Sequence, residues 1–144
     1  MDEPAAPIDE PALEAIRDLA QTHSLVNRIQ TEQTGSTLSL LIVDLDRDRY
    51  PDQVADVRLE IQWYRNDDYN FHYVEHQSSN RVWQCRWDRH PNSHTTRAHF
   101  HPPPDASAAD AVADQPPDRH PSALFTRTMA NARDRISDLW ETVE

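Results

Sequence analysis

The sequence predicts an α+β fold: an N-terminal helix, an antiparallel meander of about five strands, and a closing C-terminal helix. Three observations predict it. Between Val57 and Asp88 apolar and polar residues alternate in three successive segments, the period of half-buried strands. From Ser122 to Val143 the positions Phe125, Met129, Ala132, Ile136, Leu139 and Val143 trace a helical stripe. A shorter stripe, Leu13, Ile16, Leu19 and Ala20, marks a helix from Ala12 to Thr22.

The elements follow in chain order within one domain, residues 1–144. Residues 1–11, with Pro4, Pro7 and Pro11, read as a mobile arm. Residues 12–101 hold the first helix and the sheet. Leu25 to Glu32 and Thr37 to Leu45 read as strands around Gly35, the only glycine, which suits a turn. Asp46 to Asp52 is charged and contains Pro51, hence a loop. Asn66-Asp-Asp68 and Ser78-Ser-Asn80 fit three-residue hairpin loops, whose last position favours a left-handed Asn or Asp.

Those loops set a register with Trp63 opposite Phe71, Phe71 opposite Trp87 and Tyr73 opposite Cys85. The opposite face then aligns Gln62, His72 and Arg86, flanked by Glu60 and Asp88. Helices are expected to cover the aromatic face, leaving the polar one as a working surface. Residues 102–121 form a Pro-, Ala- and Asp-rich loop, with a surface insertion at 105–118, and residues 122–143 form the last helix.

Charge narrows the class. Acids number 25 against 14 basic residues, all of them arginine, for a formal net charge of -11, and mean hydropathy is -0.87. A carboxylate-rich surface without lysine stays solvated in concentrated salt, a haloarchaeal type of composition. Residues 61–101 depart from it, with 4 acids, 5 arginines and 6 of the 8 histidines. Such an island tolerates an anionic partner that the rest of the surface repels.

Several chemistries are excluded. Cys85 stands alone, so there is no intramolecular disulfide framework and no Cys-rich zinc module. No apolar run spans a membrane, and the acidic opening lacks a basic, apolar leader, so a cytoplasmic location is expected. A single glycine builds no phosphate-cradling Gly-rich loop, and the reading requires no cofactor.

The run from Arg86 to Pro104 carries the chemistry. His90 and His94 are four apart and His99 and His101 two apart, with Arg86, Arg89, Arg97 and Asp88 among them. Imidazole exchanges protons near neutral pH and guanidinium clamps phosphate, so the set suits metal-independent cleavage of an RNA phosphodiester. The site residues are His72, Arg86, Asp88, His90, His99 and His101. His72 and His99 are read as the acid–base pair, Arg86 as the phosphate clamp and Asp88 as the orienter of a histidine. A competing reading is a metal site in which His99 and His101 join Asp88 and either His90 or His94. His23, His76 and His120 carry no function and are expected to be solvated or near a cap.

Three pieces of this region resemble the TumE-like family of small toxins. They are Tyr69-Asn-Phe-His72-Tyr73, then Arg86-Trp87-Asp88 with Pro91 shortly after, then Thr96-Arg-Ala-His99-Phe-His101. Arg89 stands where the family pattern has asparagine. Asn92-Ser93 replaces its paired histidines, with His90 and His94 on either side. The likeness covers residues 57–101 and the last helix. It implies a growth-inhibiting toxin encoded beside a helix-turn-helix, DNA-binding antitoxin. Ribonuclease action is read from the residues themselves, against the alternative of a non-catalytic partner for a DNA-binding regulator.

Overall fold

The computed structural model describes residues 6–93 and 95–143. Helix α1 spans Glu10–Gln21, and strands β1 (Val26–Thr34), β2 (Thr37–Leu45), β3 (Val54–Trp63), β4 (Tyr69–Gln77), β5 (Val82–Arg89), β6 (Ala98–His101) and β7 (Val112–Ala113) follow. Helix α2, Pro121–Glu141, closes the chain. The strands form one antiparallel sheet in sequence order, β1 to β7. The α+β prediction holds, with seven strands in place of about five.

Local chemistry explains the helix ends. The Asp9 carboxylate accepts the Ala12 N–H at 3.1 Å, capping α1, and Pro11 occupies the first turn, where no intrahelical donor is needed. His120 caps α2 by accepting the Ser122 N–H, again with proline in the first turn. Leu13, Ile16 and Ala20 of α1 and Phe125, Met129, Ala132 and Leu139 of α2 are buried in a single core with Leu59, Ile61, Trp63, Phe71, Tyr73, Cys85 and Trp87. Leu19 and Val143, assigned to the stripes, are exposed, and Val143 lies past the helix end. Residues 1–5 of the expected arm lie outside the described residues; Pro7 and Asp9 already bond to the end of the β3–β4 hairpin.

The register at that hairpin differs from the expected one. Trp63 lies opposite Tyr69 and Ile61 opposite Phe71, so the aromatic face is preserved but shifted by two residues. The loop is Arg65–Asp67: the Asp67 N–H donates to Tyr64 O at 2.9 Å, and Asp67, not Asp68, takes the left-handed backbone, φ 65°. Two contacts select this turn. The Trp63 indole N–H donates to the Asp67 carboxylate at 3.2 Å, and Asp68 is drawn into the sheet by arginines described below. In the next hairpin Asn80 takes φ 68°, and Phe71 faces Trp87 and Tyr73 faces Cys85 as expected.

Residues 105–118 carry a 3-10 turn at Ala108–Asp110 and then β7, which extends the sheet beside β6. Asp114, just beyond, takes both arms of Arg127 from α2 at 2.8 and 3.0 Å.

Cys85 sits on the core face, 5% exposed, and burial pushes its thiol pKa up to about 12. The thiolate, the reactive form, is then nearly absent at neutral pH. The folded protein is therefore expected to resist thiol-specific alkylation and to react stoichiometrically in denaturant. Rapid labelling of the native state, followed by mass spectrometry, would contradict this.

Candidate functional site

Alternation places the chemistry. In β5 the residues Arg86, Asp88 and, one step past the strand, His90 are two apart and share the face opposite the core. In β6, His99 and His101 do the same, and pairing sets His99 against Asp88 and His101 against Arg86. Two rows result across the polar face. One runs Glu60, His72, Arg86, His101; the other Gln62, Asn70, Asp88, His99. Gln62 therefore aligns with Asn70 and Asp88 instead of with His72, a consequence of the two-residue shift.

Asp88 is the centre, 2% exposed. Its Oδ2 accepts the Arg86 Nε–H at 2.8 Å and lies 3.1 Å from His101 Nε2, 3.5 Å from His90 Nε2 and 3.8 Å from His99 Nε2. The other oxygen, Oδ1, is buried with no hydrogen-bond partner among the described residues. The far nitrogens of all three rings are turned to backbone carbonyls. His90 Nδ1 lies 2.8 Å from Pro91 O, His101 Nδ1 3.3 Å from Ser107 O, and His99 Nδ1 3.0 Å from Arg97 O, with the Asn92 amide nitrogen, a donor, 3.3 Å from the same His99 atom. An Nδ1–H spent on a carbonyl turns the Nε2 lone pair of His90 and of His101 to the carboxylate, whereas the contacts of His99 accept either tautomer.

His99 and His101 are nearly sealed, whereas the His90 side chain is 47% and that of Arg86 35% exposed. Burial, and after it the Arg86 charge, lower the His101 pKa below the ordinary imidazole value, so this ring is neutral at pH 7. Arg86 Nη2 lies 3.4 Å from its Nε2.

The six proposed site residues do not all meet. Arg86, Asp88, His90, His99 and His101 gather; His72, though opposite Arg86, donates its Nε2–H to Gln84 Oε1 at 2.8 Å. His94 lies outside the described residues. The other two arginines of the run turn elsewhere. Arg97 grips both oxygens of Asp68 at 2.7 and 2.9 Å, and Arg89 reaches the same carboxylate at 2.9 Å. This Asp68 hub was not legible in the sequence, because its partners lie beyond the next strand. His76 pairs with Asp56 at 2.8 Å, and His120 is a helix cap.

With Asp88 at its centre the arrangement offers a guanidinium on the rim, an accessible imidazole beside it, and two sealed imidazoles beneath. The model of the family described as Toxin TumE matches residues 12–144. The chain belongs to the TumE toxin family. The match begins inside α1 and takes in the whole sheet and α2, and it makes this TumE-family chain a toxin component of a toxin–antitoxin system, with an antitoxin as partner. Comparison with curated proteins and with solved structures gives no match. No helix among the described residues is long and apolar enough to cross a membrane.

Proposed function

We propose that this TumE-family toxin inhibits growth by cleaving RNA in the cytoplasm at the Asp88 cluster. The observation that carries the reading is a half-exposed Arg86 held to a sealed carboxylate that also gathers three imidazoles. Arg86 is the phosphate clamp, since its planar fork matches two phosphate oxygens while Asp88 holds its Nε. A proton acceptor at the Asp88–His90 end takes the 2′-hydroxyl proton. The 2′-oxygen attacks phosphorus, the P–O5′ bond breaks, and His72, outside the cluster but opposite Arg86, returns a proton to O5′ once released from Gln84. The products are a 2′,3′-cyclic phosphate and a 5′-hydroxyl end. His99 and His101, with almost no access to solvent, position Asp88 instead of touching substrate.

The test is incubation of purified toxin with cellular RNA, in dilute buffer and in molar KCl, where screening removes the repulsion between an acidic surface and RNA. Cyclic-phosphate ends are expected, with losses of about 10²-fold or more in His72→Ala and His90→Ala. Intact RNA under both conditions, with growth inhibition persisting in His90→Ala cells, overturns the reading.

The sealing of His99 and His101 favours a second reading, in which the cluster only staples β5 to β6. The chain would then act by docking its antitoxin, a helix-turn-helix DNA-binding protein. An antitoxin complex of unchanged affinity after alanine replacement of His90, together with no RNA cleavage by the wild type, selects it.

A further inference from the structure

We propose that Asp88, His90 and His99 bind a divalent transition-metal ion, zinc being the ion whose preferences they meet. Bond lengths near 2.0–2.1 Å at a tetrahedral centre place ligand atoms about 3.3 Å apart. Asp88 Oδ2 stands 3.5 Å from His90 Nε2 and 3.8 Å from His99 Nε2, and donor atoms of the three residues all lie within 4.8 Å of one another. An ion between them therefore requires the two Asp88 pairs to close by a few tenths of an ångström and the two rings to approach by up to about 1.5 Å.

The hydrogen bonds point the same way. His90 turns its Nδ1 to the Pro91 carbonyl, and His99 Nδ1 lies 3.0 Å from Arg97 O, with the Asn92 amide nitrogen 3.3 Å away; an Nδ1–H held by a carbonyl is the outer-shell arrangement that presents an Nε2 lone pair to a metal. Two lone pairs and a carboxylate facing one another repel unless a cation lies among them. Arg86 meets part of that demand: it occupies Oδ2 and reaches the His101 ring. Nothing among the described residues meets the demand at Asp88 Oδ1, a buried oxygen without a donor. Two nitrogens and a carboxylate are a borderline donor set suited to zinc, and His90, on the solvent side, gives the ion a way in. His101 remains with Arg86 and Ser107, so the fourth position stays open to water.

Such a site uses the residues of the RNA reading but does not depend on it. If both hold, Asp88, His90 and His99 would hold the ion at the end where the 2′-hydroxyl proton is taken, and the ion would supply a more acidic water there.

Protein purified without a histidine tag, stripped with chelator and titrated with zinc chloride alone is expected to take up one ion per chain. A rise in Tm of roughly 5–10 °C is expected at a hundredfold excess over Kd. His90→Gln, at an accessible position that leaves the fold intact, should weaken zinc binding by about 10-fold or more. His76→Ala, outside the cluster, should bind as the wild type does. Absence of uptake and of any Tm change, or equal affinity in His90→Gln, overturns the proposal. Zinc uptake without RNA cleavage upholds the metal site and defeats the nuclease. Cleavage in chelator by a protein that takes up no zinc does the reverse.

Discussion

Arg135→Met is expected to destabilise the fold by about 3–5 kcal/mol, the cost of leaving a buried charge without its partner. Glu75 lies on the core face of β4 and is 0% exposed. Its carboxylate accepts from Arg135 Nε at 2.9 Å and Nη2 at 2.8 Å, from Gln77 Nε2 at 3.0 Å, and from the Tyr73 hydroxyl at 3.5 Å. The guanidinium also lies 3.8 Å above the Trp83 ring, so α2 is tied to the sheet by a charge pair and a cation–π contact together. Methionine preserves the apolar stem and removes the charge, and Glu75 has no route to solvent. The double variant Arg135→Met/Glu75→Leu should recover most of the loss, because two apolar groups need no pairing. Denaturant unfolding measures both. A single variant within about 0.5 kcal/mol of the wild type would mean that the pair contributes no more than a surface one.

Asp88→Asn is expected to lower RNA cleavage by about 10²–10⁴-fold and to abolish growth inhibition while leaving the circular dichroism spectrum unchanged. The amide keeps the shape of the carboxylate and removes its charge. Arg86 then loses the acceptor that sets its orientation, and His90 and His99 lose the anion they face. Arg86 is half-exposed, so its freed charge turns to water at little cost in stability. Cells that still arrest on expressing folded Asp88→Asn would show that the cluster is not the centre of toxicity.

How far the sequence discloses this molecule depends on the range of each interaction. Period-two alternation is local, so the aromatic face of β3, β4 and β5, the pairing of Phe71 with Trp87, and the shared face of Arg86 and Asp88 are legible, whereas the pairing that brings His99 and His101 beside them comes from β6, a strand outside the expected five. The β3–β4 register is not, because Asn66, Asp67 and Asp68 each suit a left-handed turn position. The choice falls to the Trp63 indole and to Arg89 and Arg97, residues outside the turn. Glu75 looks like a misplaced acid until Arg135, 60 residues away, arrives beside it. Strand β7 is two residues in an Ala- and Asp-rich stretch and has no pattern of its own; the open edge of β6 creates it. The separation of His72 from the cluster rests on the neighbouring Gln84, a residue with no chemistry to draw attention to it.

The grip of Arg89 and Arg97 on Asp68 bears on how any polyanion is held. Both guanidiniums already share an internal counter-ion, as Arg86 does with Asp88, so each of these three arginines would meet a phosphate only by sharing it with a carboxylate. Affinity for single-stranded nucleic acid falls by about 0.7 of a decade per decade of salt for each neutralised phosphate. Under the proposed RNA reading, a strand held chiefly through Arg86 would therefore lose little affinity as salt rises.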